Sequence, residues 1–460
     1  MIERRAFMLG IAGSLASARS AIGATGGVGV LSIEDFGADL HSPGADHTKA
    51  FLAAIASKKR VLVPALPGRA YKITEPLIDM GGANIVGAPG ARLNVGDING
   101  YLQIGGSGSS WTGLQFEPRQ VNRAYGIILN ADASHNRLSK LSIINGESGI
   151  RIEGSANLLE DISFSEMLGT SIRLQGEGSS KNIIQRIRIR NGALAGILHD
   201  GGAHHNVVRS AKKWVDGPRF TALIQGERGT EDGFLGGDIC AYAQSSHHNA
   251  AFDLECANAR DGCYTSSGDF NTLDGAVFTN GMASAVAISG SNNAISNVHA
   301  IGCKTGFRII PQAGGLAKDN TFTNCLSDRA KEFGFRQDGN AYRPWQAGVT
   351  KRPPTHFCSN GLAIYRCAHA TTEFGTRAPT HTEGTQSDGL NEWTFVAKDP
   401  STLDADRNRA VRCQSRSSGT ADWASRGEGS FYREGCPGFP DGRVPSNSGF
   451  TRTPRPDGAN

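Results

Sequence analysis

The chain has 460 residues, of which 60 are glycine, 20% are charged and 7% are aromatic, and its formal net charge is +4. The glycines keep no three-residue period, which excludes collagen. Charge is too sparse for a coiled coil, and 38% hydrophobic residues suffice for a core. The mild charge also excludes the basic stripe of a nucleic-acid binder, leaving a protein rich in strands and tight turns.

Arg4 and Arg5 precede a small, apolar run from Ala6 to Ala18, and small residues up to Ala24 offer a cleavage site. Residues 1–24 resemble a twin-arginine export signal, and the run is too short to span a bilayer. A periplasmic or secreted protein without a membrane span is expected. Residues 25–80 read as a cap module. Leu31-Ser-Ile leads through Phe36-Gly37-Ala38 and Asp46-His47-Thr48 into one amphipathic helix, and Val61-Leu-Val-Pro and Tyr71-Lys-Ile-Thr follow as short strands.

From 81 to 340 the sequence repeats itself at spacings of roughly 20–35 residues. Glycine- or small-residue-led strands recur as Gly126-Ile-Ile-Leu, Gly149-Ile-Arg-Ile-Glu, Ser171-Ile-Arg-Leu-Gln, Gly196-Ile-Leu-His-Asp and Thr221-Ala-Leu-Ile-Gln. Ala251-Phe-Asp-Leu-Glu, Ala285-Val-Ala-Ile-Ser, Gly306-Phe-Arg-Ile-Ile and Gly334-Phe-Arg-Gln-Asp continue the series. A second strand opens on asparagine at Asn136, Asn157, Asn182, Asn271, Asn293 and Asn320. Both strands alternate apolar and polar residues, and one unit cannot bury its own apolar face, so the units must stack. Period, alternation and turn chemistry predict an all-β fold, a parallel β-helix with a short N-terminal helix at its end.

An insertion over about 203–270 interrupts the period, and residues 341–400 read as a C-terminal cap or irregular region. After Leu403 there is no leucine, isoleucine or lysine. Residues 401–460 therefore read either as a disordered tail or as a reading-frame error. The nine cysteines form no Cys-x-x-Cys pair; Cys256/Cys263 and Cys358/Cys367 are the closest in sequence, and nothing supports cysteine catalysis.

The helix-leading segment, with Phe36-Gly37-Ala38, Asp46-His47-Thr48 and Val63-Pro64…Tyr71, is similar to that of the pectate-lyase-like superfamily, His47 replacing a second acid. The resemblance spans roughly 30–340. It implies a right-handed parallel β-helix acting on carbohydrate, and the superfamily holds lyases, hydrolases, epimerases and tailspikes. The Gly-His-Gly and Arg-Ile-Lys motifs of its pectin-hydrolase branch are missing, as is the Arg-x-Pro-x-x-Arg of its pectate-lyase branch. No Rossmann, Walker or serine-hydrolase signature occurs.

Aligning the glycine-led strands places Asp200, Asp253 and Glu255 outward on the middle rungs, with Gln225 between them and Arg173 one rung before. Carboxylates separated in this way suit acid/base cleavage of a glycosidic bond. In the insertion, Trp214 offers a stacking face for a sugar. Lys213 and Arg219 offer charge for a uronate, and His247 or His248 a general base. His199 aligns with inward residues and reads as core. The expected partner is a polysaccharide, cleaved by lyase or hydrolase chemistry; the alternative is a non-catalytic, tailspike-like binder. No cofactor is expected, calcium beside the acids having no ligand-spacing motif, and homotrimerisation stays open.

Overall fold

The computed structural model describes residues 30–444 except 43, 97, 119–124, 217–237, 244, 260–261, 312–316, 339–342, 345–356, 361–362, 368–375, 390, 398–404 and 426–430. The chain winds into a parallel β-helix of about 12 turns with one short α-helix. Each coil lays down an asparagine-led strand, a second strand after a corner, and then the glycine-led strand. Arg137–Ser139, Ser142–Ile144 and Ser148–Ile152 are one such set. All pair in parallel with the coils above and below, as in Leu138↔Leu159, Ile143↔Phe164 and Ile150↔Ile172. The first two faces form one bent 24-stranded sheet, and the glycine-led strands form a separate sheet of 12.

The corners follow from single left-handed residues. In the coil of Asn136 these are His135, Lys140 and Asn145, and in the next coil Ala156, Asp161 and Glu166, all with φ of 52–61°. One such residue turns the chain sharply at a cost of about 1 kcal/mol or more for a non-glycine side chain. The repeat therefore needs something that holds the corner closed. Asparagine supplies it: Asn136 Nδ2 donates to Asn157 Oδ1 at 3.1 Å, Asn157 to Asn182 at 3.1 Å, and Asn182 to Asn206 at 3.0 Å. Each Oδ1 also accepts the backbone N–H of the preceding coil's asparagine, at 2.9–3.0 Å for these pairs. The side chains are buried, so the bonds replace water that cannot reach them.

The helix Thr48–Ala56 closes the N-terminal end, burying Phe51, Ala54 and Ile55, with Phe51 edge-on to Tyr71 at 5.7 Å. The cap module is itself part of the β-helix, since Leu31–Ser32 pairs with Arg60–Val63 and Leu77–Asp79 with Leu102–Ile104.

Three expectations are corrected. Much of the expected insertion belongs to the coils: residues 203–216, 238–243 and 245–259 lie on them, with Val207–Arg209 pairing to Ala250–Ala257, while 217–237 lie outside the described residues. Ile197–Asp200 pairs directly with Cys240–Tyr242, so Thr221-Ala-Leu-Ile-Gln is not a rung between them; it lies outside the described residues. Most markedly, the described residues 405–425 and 431–444 are not a disordered tail. Asn408–Val411 pairs with Thr321–Thr323, and Ala421–Ser425 pairs with Phe333–Gln337. This core needs no leucine because Ala410, Cys413, Trp423, Phe431 and Cys436 fill it, and Trp423 stacks on Phe335 at 4.4 Å. Residues 445–460 lie outside the description. Between Asp338 and Ala405, the strands Arg343–Pro344, Phe357–Asn360, Ala363–Cys367, Thr385–Ser387 and Glu392–Ala397 form a five-stranded sheet of their own.

Candidate functional site

On the glycine-led sheet the outward positions carry the polar residues. Arg151 and Arg173 are neighbours in register, and Arg173 donates to Tyr125 Oη at 2.8 Å and ion-pairs with Asp200. Arg151 lies over the Tyr125 ring at 5.2 Å and faces Glu153 at 3.1 Å. Asp200 and Glu153 are two rungs apart, which sets their backbones about 10 Å from each other.

Asp253 and Glu255 do not join them. Ala250–Ala257 is an asparagine-led strand on the other sheet, opened by Asn249, and the true glycine-led rungs there are Cys240–Tyr242 and Gly262–Ser266. Asp253 occupies an exposed left-handed corner (φ 53°). Glu255 faces Lys212 one coil below and ion-pairs with it at 2.6 Å. Trp214 is outward and half-buried on the same face, level with Arg190, which bonds Asp216 at 2.5 Å. Lys213 has the opposite parity and points inward: it is 1% exposed, and Nζ donates to the Leu194 carbonyl at 2.6 Å. It cannot meet a substrate carboxylate. Arg219 and Gln225 lie outside the described residues.

The histidines do converge. His204-His205-Asn206 and His247-His248-Asn249 occupy the same turn on successive coils, and His204 pairs with His247 as a parallel bridge. Their rings stack at 5.3 Å, inclined by 19°. His205, His248 and Phe270 form a second row with centroids 5.2 and 5.0 Å apart. The first row opens on a cavity of about 540 Å3 lined by Glu177, Gly201, Gly202, His204, Ser245 and His247, directly after Asp200 in the chain. Gly202 has φ of 90°, and a Cβ there would meet Glu177 Cγ at 2.7 Å, so glycine keeps the wall open. Its N–H donates to Ser245 Oγ at 3.0 Å.

His204 Nδ1 donates to the Gly202 carbonyl at 3.0 Å, which leaves Nε2 to carry the lone pair of the neutral ring. Partial burial holds the His247 imidazole below its ordinary pKa, and the neighbouring His248 and His204 add to this against Asp269 and Glu177. A neutral imidazole near neutral pH is a competent proton acceptor. His248, the other expected base, is exposed between His205 and Phe270 and does not line the cavity. Sequence reasoning missed Glu177 and Ser245, which sit in turns outside either strand pattern. The repeated His-His-Asn triplet would have marked Asn249 as a ladder asparagine. Among the described residues no group of three or more His, Cys, Asp or Glu is arranged to hold a metal ion.

No protein-family model matches the chain, and no curated protein matches by sequence. Solved structures do match. The catalytic unit of a thermostable GH87 α-1,3-glucanase from Streptomyces thermodiastaticus superposes with a TM-score of 0.58 at 12% identity, over 92% of this chain and 71% of that one. A GH87 α-1,3-glucanase catalytic domain in complex with nigerose gives a TM-score of 0.57 at 13% identity, over 86% and 68%. At such identities the likeness is one of fold, and the fold is the right-handed parallel β-helix.

Proposed function

We propose that the protein cleaves glycosidic bonds of an acidic polysaccharide at the corner where the glycine-led strands meet the asparagine ladder. The observation that carries this reading is the His204–His247 pair beside Glu177 in one cavity, with the Arg151–Arg173 row on the adjoining sheet. In a uronate the carboxylate acidifies the neighbouring C–H. A neutral imidazole removes that proton, the electron pair forms a C=C bond, and the glycosidic oxygen leaves with a proton returned to it. The outward arginines would attract the polyanion, and Trp214 offers a sugar-stacking face on the other sheet.

Hydrolysis is the second reading, favoured by the Glu177 carboxylate at the same cavity and by the α-1,3-glucanases of like fold. Purified protein is incubated with acidic and neutral polysaccharides while ultraviolet absorbance and reducing ends are followed together. Elimination predicts absorbance that falls 10²–10⁴-fold in His247→Ala. Reducing ends alone, lost in Glu177→Gln, would move the assignment to hydrolysis. Binding without either signal would sink both and leave a carbohydrate-binding β-helix. Export through Arg4 and Arg5 would place the protein beside such polymers; Lys replacement of both should retain it in the cytoplasm on fractionation.

A further inference from the structure

Three of the buried cysteines fall in one column. Cys325, Cys413 and Cys436 each lie at the corner between the first and second strands of three successive coils, as the registers Leu326↔Gln414 and Val411↔Glu434 require. Their surroundings repeat. Each thiol donates to the carbonyl two residues earlier, of Thr323, Val411 and Glu434 at 3.4, 3.4 and 3.7 Å. Each also donates to a carbonyl of the preceding coil, of Ile295, Phe322 and Ala410 at 3.7, 3.4 and 3.3 Å. In earlier coils the same position holds aliphatic side chains, among them Leu254, Ala276 and Val298. The column changes to cysteine where the chain leaves the β-helix after Asp338 and returns at Ala405.

Coils stack about 4.8 Å apart, so Cys325 and Cys413, in register, have Cα atoms within the roughly 4.4–6.8 Å span of a disulfide, and closing the bond draws their Cβ atoms together by about 1 Å. This pair is clamped on both sides: Thr321–Thr323 is bonded to Asn408–Val411 before it, and Leu326–Asp328 to Gln414–Arg416 after it. Cys413 and Cys436 are clamped on one side only, through Asn408–Val411 and Phe431–Glu434.

We propose that Cys325 and Cys413 form a disulfide under oxidising conditions, a staple that locks the returning coil to the body of the β-helix. The structure holds both as thiols. With a small-molecule disulfide as oxidant, one thiolate attacks it and releases one small thiol. The second cysteine then attacks the mixed disulfide and releases the other, so two electrons and two protons pass to the oxidant. Both thiols are 1% exposed or less, and burial raises the Cys413 thiol far above its ordinary range, so the staple closes during folding, before the column is sealed.

The full chain is unfolded in denaturant, refolded with oxidised and reduced glutathione, alkylated in denaturant and digested. A peptide linking Cys325 to Cys413, with Cys436 alkylated, is expected; alkylated Cys325 and Cys413, or a Cys413–Cys436 link, overturns the proposal. The denaturation midpoint of the oxidised protein should exceed that of the protein reduced with dithiothreitol. That gap should survive in Cys436→Ser and vanish in Cys325→Val and Cys413→Ala, whose side chains already occupy the column at Val298 and Ala276. A gap that persists in the last two overturns the staple as its source.

Discussion

His199 shows what a single polar side chain costs inside this column of apolar ones. It faces inward between Leu174 and Tyr242, fully buried, and neither ring nitrogen meets a hydrogen-bond partner of good geometry, although the Ala241 backbone lies close. Burial pushes its pKa down to about 3. The unfolded chain takes up the proton near pH 6.5, the folded protein only near 3, so this residue removes stability as pH falls between those values, by about 1.4 kcal/mol per unit. His199→Leu should therefore stabilise the protein at pH 7 by about 1 kcal/mol, since an unsatisfied polar group is lost. It should also flatten the decline towards pH 4. Urea midpoints at pH 7 and 4.5 check this: an equal slope in both proteins would mean that the ring is hydrated or paired.

At the scale of the strand and its corner, the asparagine ladder carries the register. Asn182 accepts from the Asn157 N–H at 2.9 Å and the Asn157 amide at 3.1 Å, and donates to Asn206 Oδ1 and the Gly154 carbonyl, both at 3.0 Å. Asn182→Ala strands buried groups on two neighbouring coils and should cost about 2–4 kcal/mol. Equilibrium unfolding measures it, and a loss below about 0.5 kcal/mol would show that the backbone pairing alone holds the corner. The ladder was legible in sequence because asparagine and alternation recur locally at Asn136, Asn157 and Asn182. The sorting of strands failed at Ala251–Cys256 because alternation is the same on every face of a β-helix. Only Asn249 two residues before it distinguishes the sheets. The histidine cavity was half legible: His247 stood in a repeated triplet with Ser245 in the same turn, but Glu177 meets it from two coils earlier, and no local pattern holds that information.

At the scale of the molecule, a β-helix needs both ends closed, because an open end presents unpaired strands and core. The helix Thr48–Ala56 closes one. At the other, Phe307, Phe335 and Trp423 stack in sequence at 4.6 and 4.4 Å, and Phe439 meets Trp423 edge-on at 5.8 Å. This end was read as a tail because its apolar filling is aromatic, alanine and cysteine rather than leucine. A chain ending at residue 404 should expose Phe322 and Phe335 and the edge of Phe333–Gln337, and should elute from size exclusion as oligomers. A monodisperse monomer would show that the last coils are dispensable. The ladder also passes from Asn206 to Asn249, and from Asn320 to Asn408, with hydrogen bonds like those between coils only 21 residues apart. Position along the axis is thus set by contact with the coil below and not by the length of chain spent since it. Lengthening a corner loop adds only closure entropy, about 0.6 kcal/mol for each doubling. The connection from Asp338 to Ala405, which carries a five-stranded sheet of its own, shows such a port: sequence is added there while every rung beyond it stays in its place.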